Sequence, residues 1–180
     1  MGGGDKPLLR VGGKAMLAHV AAAIDLPNIA IAANGGAARF AEYGFPVLPD
    51  GDFAGQGPLA GVLAGLEWAH ALGASALLTA PGDTPFIPAG LAILLSPGPA
   101  CAASGGRVHH TVALWPVDVR IALRAHLSQP GSRDVARFAA AIGMRPVDFP
   151  SGKWDPFLNV NTPADLETAR TWTGPRGGTK

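Results

Sequence analysis

At 180 residues the chain has the length of one domain and can bury a core of its own. Hydrophobic residues make up 48% and charged residues 15%, yet no uninterrupted apolar run reaches the roughly 18 residues needed to cross a bilayer. A formal charge of +1 and a pI near 8.0 exclude a nucleic-acid surface driven by bulk charge, whereas a small anion needs only a local field.

The opening segment Met1-Gly2-Gly3-Gly4-Asp5-Lys6 joins three glycines to one lysine. Glycine lets backbone N–H groups approach an anion closely, and Lys6 adds a cation on a flexible stem. Two readings stay open for it: a flexible end, or half of a phosphate-binding loop. Lys14 to Ile24 carries an apolar stripe of Met16, Leu17, Val20, Ala21 and Ile24, which predicts a helix ended by Asp25-Leu26-Pro27. Asn28 to Ala33 predicts a short buried strand before the turn Asn34-Gly35-Gly36. Ala37 to Tyr43 predicts a short helix capped by Gly44, and Phe45 to Leu48 a second short strand. A polar loop follows from Pro49 to Gly57.

Pro58 opens the clearest helix, with Leu59, Val62, Leu63, Leu66 and Ala69 on one face and Gly73 as its stop. Ser75 to Ala80 is a continuous apolar run, the pattern of a strand covered on both faces, and it breaks at Pro81-Gly82-Asp83-Thr84-Pro85. Helices are expected at 88–95, 117–127 and 133–142, and strands at 99–104, 110–115 and 144–149. Thr162-Pro163-Ala164-Asp165 starts a last helix, with Thr162 as N-cap, proline at the first position and Asp165 closing a near capping box. Cys101 is the only cysteine, which excludes an internal disulfide and a cysteine-based zinc site; its alanine neighbours predict a buried thiol. The start carries no secretory signal pattern, and a cytoplasmic location is expected. One domain is expected over 1–172, with a disordered tail over 173–180.

Strands alternating with helices predict an α/β protein of three layers, αβα, around a mostly parallel (mixed) sheet. Ligands of such sheets bind at the carboxyl ends of the strands. That rule selects Asn34, Asp50, Asp83, Asn159 and Asn161, together with Lys6. Asn34 and Asp50 can equally be turn residues, and Asn161 can simply help cap the last helix. A lysine-bearing glycine loop and a strand-end carboxylate suit a magnesium–triphosphate, because Mg²⁺ is usually held by one or two carboxylates plus substrate phosphates. Phosphoryl or nucleotidyl transfer follows, without saying which.

Four segments make the order of motifs specific: M-G-G-G-D-K-P-L-L (1–9), P-D-G-D-F-A-G-Q-G-P-L-A-G (49–61), A-P-G-D-T-P-F-I-P (80–88) and N-V-N-T-P-A-D-L (159–166). Together they resemble the molybdenum cofactor guanylyltransferases, a MobA-like branch of the Rossmann-like nucleotide-diphospho-sugar transferase fold. The resemblance implies transfer of GMP from Mg²⁺-bound GTP to molybdenum-molybdopterin, with release of pyrophosphate. It further implies transient contact with molybdoenzymes or their chaperones, and no nucleic-acid or membrane partner. By the same resemblance Lys6 and Asp83 are the catalytic residues and Asp83 the magnesium ligand. Gly2, Gly3, Lys6, Asn34, Asp50, Asp83, Asn159 and Asn161 are then the nucleotide- and substrate-binding positions. His110 on its strand suits either a face toward the second substrate or a structural role. The family's first strand, with its L-A-G-G-x-x-x-R lead, precedes the segment that begins here with Met1. The expectation is therefore a fold lacking that strand, with the true start upstream. The sister cytidylyltransferase or another small nucleotidyltransferase, and a truncated non-catalytic nucleotide-binding remnant, are the competing readings.

Overall fold

The computed structural model describes residues 6–129, 133–152 and 154–171; Gly2, Gly3 and the tail expected over 173–180 lie outside the described residues. Lys6–Leu8 form a 3-10 turn leading into a two-residue hairpin, in which β1 (Arg10–Val11) pairs antiparallel with β2 (Lys14–Ala15). Gly12 and Gly13 take φ of +57° and +85° at its tip, a region that glycine enters without a Cβ clash. The hairpin corrects the expected helix start, since Lys14 and Ala15 are strand and α1 spans Met16–Ile24. Its stripe of Met16, Leu17 and Val20 is buried as the period predicts, and Asp25, at φ 45°, ends it.

β3 (Ile31–Ala32) and β4 (Val47–Leu48) form a short parallel pair, briefer than the apolar runs around them. The segment between them, Ala37–Tyr43, is a 3-10 helix closed by Gly44 at φ 67°. α2 (Pro58–Ala71) buries Leu59, Val62, Leu63, Leu66 and Ala69, and Gly73 follows in the left-handed region. Then come β5 (Ala76–Thr79), α3 (Leu91–Leu94), β6 (Ala100–Ser104), β7 (Arg107–Pro116), α4 (Val119–Leu127), α5 (Val135–Ala141), β8 (Arg145–Asp148) and α6 (Pro163–Thr171). α3 is only one turn of the helix expected over 88–95.

The larger sheet has the order β5-β7-β6-β8. β7 runs antiparallel to both β5 and β6, and β6 runs parallel to β8, so β5, β6 and β8 share one direction. Alternation along β6 and β7 sends side chains to two separate cores. Cys101, Ala113 and Trp115 meet Leu59, Leu63 and Leu66 of α2, Leu123 and Leu127 of α4, and Phe138 of α5. Ala100, Ala102, Val112 and Leu114 meet Val20 of α1 and Leu91 of α3, with Leu95 and Phe157. Helices thus cover both faces, which gives the three expected layers. Trp115 is fully buried and its indole N–H donates to Thr79 Oγ1 at 2.9 Å, satisfying the one polar atom it takes inside.

β5 departs from its sequence pattern. Ala76 is exposed and Leu77 to Thr79 are half-buried, where the apolar run predicts cover on both faces. Among the described residues β5 pairs only with β7, and its other edge lines a cavity of about 790 Å³ that β3 also lines, with α1 and α2 contributing walls.

Candidate active site

The loops that leave β3, β4 and β5 at their carboxyl ends place Asn34, Asp50 and Asp83 on that one cavity, and the chain before α6 adds Asn159. Asn34 and Asp50 lock together. The Asn34 amide donates to Asp50 Oδ2 at 2.6 Å, and Asn34 Oδ1 accepts the Asp50 N–H at 3.0 Å. Arg39 Nη2 donates to the Asn34 carbonyl at 2.6 Å, which fixes the turn from behind. Gly57 and Pro58 line the cavity beside this pair, so the uncapped N-terminus of α2 adds its partial positive charge there.

Asp83 stands on a rigid loop. Thr84, 2% exposed, donates its hydroxyl to the Pro81 carbonyl at 2.6 Å. Gly82 fits so closely that an added Cβ would lie 3.0 Å from Pro7 Cβ, which ties this loop to the lysine turn. The Asp83 carbonyl accepts the Val160 N–H at 3.0 Å, bringing the Asn159–Asn161 segment alongside. Lys6 Nζ donates to Asn161 Oδ1 at 3.0 Å, joining residues 155 apart in sequence. Burial pushes the Asp83 carboxyl above its ordinary value; its own backbone N–H and the charge of Lys6 pull it back.

The segment is also tied to α6. Asp165 Oδ2 accepts the N–H of Asn161 at 3.0 Å and of Thr162 at 2.7 Å, while Asp165 N–H donates to Thr162 Oγ1 at 3.1 Å. The capping box expected from the sequence is formed. Hydrogen bonds from Thr162, and more weakly from Asn161, hold the Asp165 carboxyl below its ordinary range.

Lys6, Asp83, Asn159 and Asn161 therefore form one group and Asn34 with Asp50 a second, and only Asn34, Asp50 and Asp83 owe their place to a loop that leaves a strand. Lys6 and Asn161 stand beside the cavity wall, and His110 is half-buried on β7 without lining it. Sequence reasoning missed Arg39, whose role behind Asn34 has no local signature.

Among the described residues no three His, Cys, Asp or Glu side chains gather to hold a metal ion. The donor set nonetheless fits magnesium. Asp83 offers a carboxylate at the lysine end, and such an ion takes its remaining ligands from phosphates and water.

The MobA-like NTP transferase domain model matches residues 1–143. A molybdenum cofactor guanylyltransferase of Acidiphilium cryptum is 52% identical over 171 residues, covering 94% of this chain and 87% of the relative. One from Rhodopseudomonas palustris (strain BisB5) is 44% identical over 180 residues, covering 94% and 86%. The crystal structure of molybdopterin-guanine dinucleotide biosynthesis protein A from Archaeoglobus fulgidus superposes with a TM-score of 0.71 at 19% identity, covering 93% of this chain and 90% of that one. A 2-C-methyl-D-erythritol 4-phosphate cytidylyltransferase from Thermus thermophilus gives 0.64 at 22%, covering 92% of each. At such identities the two structures speak for the nucleotidyltransferase fold.

Proposed function

The chain belongs to the MobA-like NTP transferase family, and from that premise we propose that it moves GMP from magnesium-bound GTP to molybdenum-molybdopterin, releasing pyrophosphate. The observation that carries the reading is the convergence of Lys6, Asp83, Asn159 and Asn161 beside the cavity that also holds the Asn34–Asp50 pair.

A terminal phosphate oxygen of molybdopterin attacks the α-phosphorus of GTP; the new P–O bond forms as the bond to the β-phosphate oxygen breaks. No side chain has to act as a covalent nucleophile. The chain's task is alignment and charge neutralisation. Lys6 supplies positive charge to the phosphates, and its bond to Asn161 sets where the ammonium sits. Asp83 would hold a magnesium ion, which would supply positive charge to offset that of the phosphates. Burial raises the Asp83 carboxyl above its ordinary value, and a bound cation would favour the ionised form that ligates it. Asn34 and Asp50 position the nucleoside, with Arg39 bracing Asn34. Asn159 and Asn161 face the pterin or metal side.

Among the described residues no helix is long and apolar enough to cross a membrane. Action in the cytoplasm and delivery of the product to molybdoenzymes or their chaperones complete the proposal.

Pyrophosphate release with molybdenum-molybdopterin present, compared for GTP and CTP, tests it. Turnover with GTP well above CTP is expected. Preference for CTP would overturn the choice of base, and GTP binding without turnover would overturn catalysis.

A further inference from the structure

Strand β6 ends on a buried serine that the proposed chemistry does not use. Ser104 is 2% exposed, and its hydroxyl donates to Asp155 Oδ1 at 2.7 Å. The single hydroxyl hydrogen is thereby committed. His109 Nε2, 2.8 Å from the same oxygen across the β6–β7 hairpin, must then carry the hydrogen of that bond. This order runs from histidine through serine to aspartate, which is the wrong direction for a histidine that activates a serine nucleophile. Burial pushes the His109 pKa down, with Arg107 and His110 adding to that effect and Asp155 opposing it. A neutral ring with one N–H fits the bond it makes.

The acceptor end of this relay controls the chain that follows. Asp155 Oδ1 also takes the Phe157 N–H at 2.9 Å, and the Asp155 carbonyl takes the Leu158 N–H at 3.1 Å, closing a tight turn. Phe157, 2% exposed, packs its ring against His109 and Phe149, with centroids 5.1 and 5.0 Å away. Three residues past Phe157, fully buried Val160 donates to the Asp83 carbonyl, and Asn161 then receives Lys6. No described helix or strand lies between β8 and α6, so side-chain anchors must hold this connection.

We infer that Ser104, His109 and Asp155 are positioning residues for the transfer reaction, setting the place of residues 155–161 so that Val160 meets the Asp83 carbonyl and Asn161 meets Lys6. The inference rests on the transfer reading above, and its test separates the two. Asp155→Ala removes the acceptor for both Ser104 and Phe157; Asp155→Asn keeps an oxygen at Oδ1 and serves as the conservative rescue. Amide hydrogen exchange is read over 155–161, and steady-state guanylyl transfer is read for D155A, D155N, N161A and D155A/N161A.

In D155A, exchange over 157–161 should rise at least about tenfold while β6 and β7 keep their protection. Its kcat should fall by about 10- to 100-fold, the scale of a misplaced reacting group. The double variant should lose no more than the worse single, because both changes act through one contact, and D155N should recover most of the activity. Unchanged exchange in folded D155A, multiplying losses in the double variant, or D155N as poor as D155A would overturn the inference. If D155A does not fold, Ser104→Ala removes only the hydroxyl link and must raise exchange over the same residues. A wild-type protein without transfer would sink the functional reading alone, since exchange still decides the positioning.

Discussion

Asp83→Asn should move stability and ligand response in opposite directions. In the empty protein burial holds this carboxyl above its ordinary value of 3.8. The folded state thus binds that proton more tightly than the unfolded chain does. Stability therefore falls as pH rises from the unfolded pKa through the raised folded one, and the penalty is constant above it. The amide carries no such penalty. Ligand-free D83N should melt no lower than wild type at pH 8, and any gap should narrow on acidification. With magnesium and GTP the order reverses. GTP at a hundredfold excess over its dissociation constant stabilises the native state by about 2.7 kcal/mol. For a chain of this size that is a rise of about 5–11 °C, at about 2–4 °C per kcal/mol. If losing the carboxylate proposed to hold the metal weakens binding about 100-fold, the same GTP concentration equals the new dissociation constant and stabilises by only about 0.4 kcal/mol. The rise then shrinks to about 1–2 °C. Thermal melts with and without magnesium–GTP, repeated in excess chelator, make the comparison. A full ligand-induced rise in D83N, or a ligand-free variant several degrees below wild type, would refute the role given to Asp83.

Lys6→Ala should lower guanylyl transfer by about 10²- to 10³-fold, as for other preorganised charge-stabilising groups, while leaving the ligand-free melting temperature nearly unchanged. Steady-state kinetics beside a melt distinguishes this from a folding defect. Thr79→Val should strand the Trp115 indole N–H inside the core and cost about 1–3 kcal/mol, read as a lower urea midpoint at unchanged slope. Thr162→Ala removes the acceptor of the Asp165 N–H and should cost about 1 kcal/mol, with faster amide exchange confined to the first turn of α6. The depressed Asp165 carboxyl adds a pH signature to that helix. Its stabilisation is present above the ordinary carboxylate pKa and is lost as pH falls through the folded value, so α6 should fray first on acidification.

Elements whose signals are local were legible in the sequence. The stripe of α2, the proline at its start and Gly73 at its end specify that helix without tertiary help, and the Thr162–Asp165 box specifies the start of α6. The β1–β2 hairpin was hidden because its strands are two residues each, too short to show alternation, and its turn is set by the positive φ of Gly12 and Gly13. β5 misled differently. A run such as Ala76-Leu77-Leu78-Thr79 reports apolarity, not which neighbours supply cover, and here one edge faces the cavity.

The site divides along the same line. Asn34, Asp50 and Asp83 lie in the loops that follow β3, β4 and β5, and those loops open onto one cavity. Lys6 and Asn161 have no such relation, and only the packing of the Pro81–Pro85 loop against Pro7, with Val160 on the Asp83 carbonyl, brings them within 3.0 Å. The Ser104–His109–Asp155 relay is further from view, because Ser104 and Asp155 are 51 residues apart and nothing in the strand expected over 99–104 marks its last residue as an anchor. A reaction that needs no covalent nucleophile makes this distribution intelligible. When the substrates bring the attacking oxygen and the leaving group, the protein's contribution is the distance between one cation, one carboxylate and two amides. Those distances are set by the long-range contacts that a sequence pattern does not record.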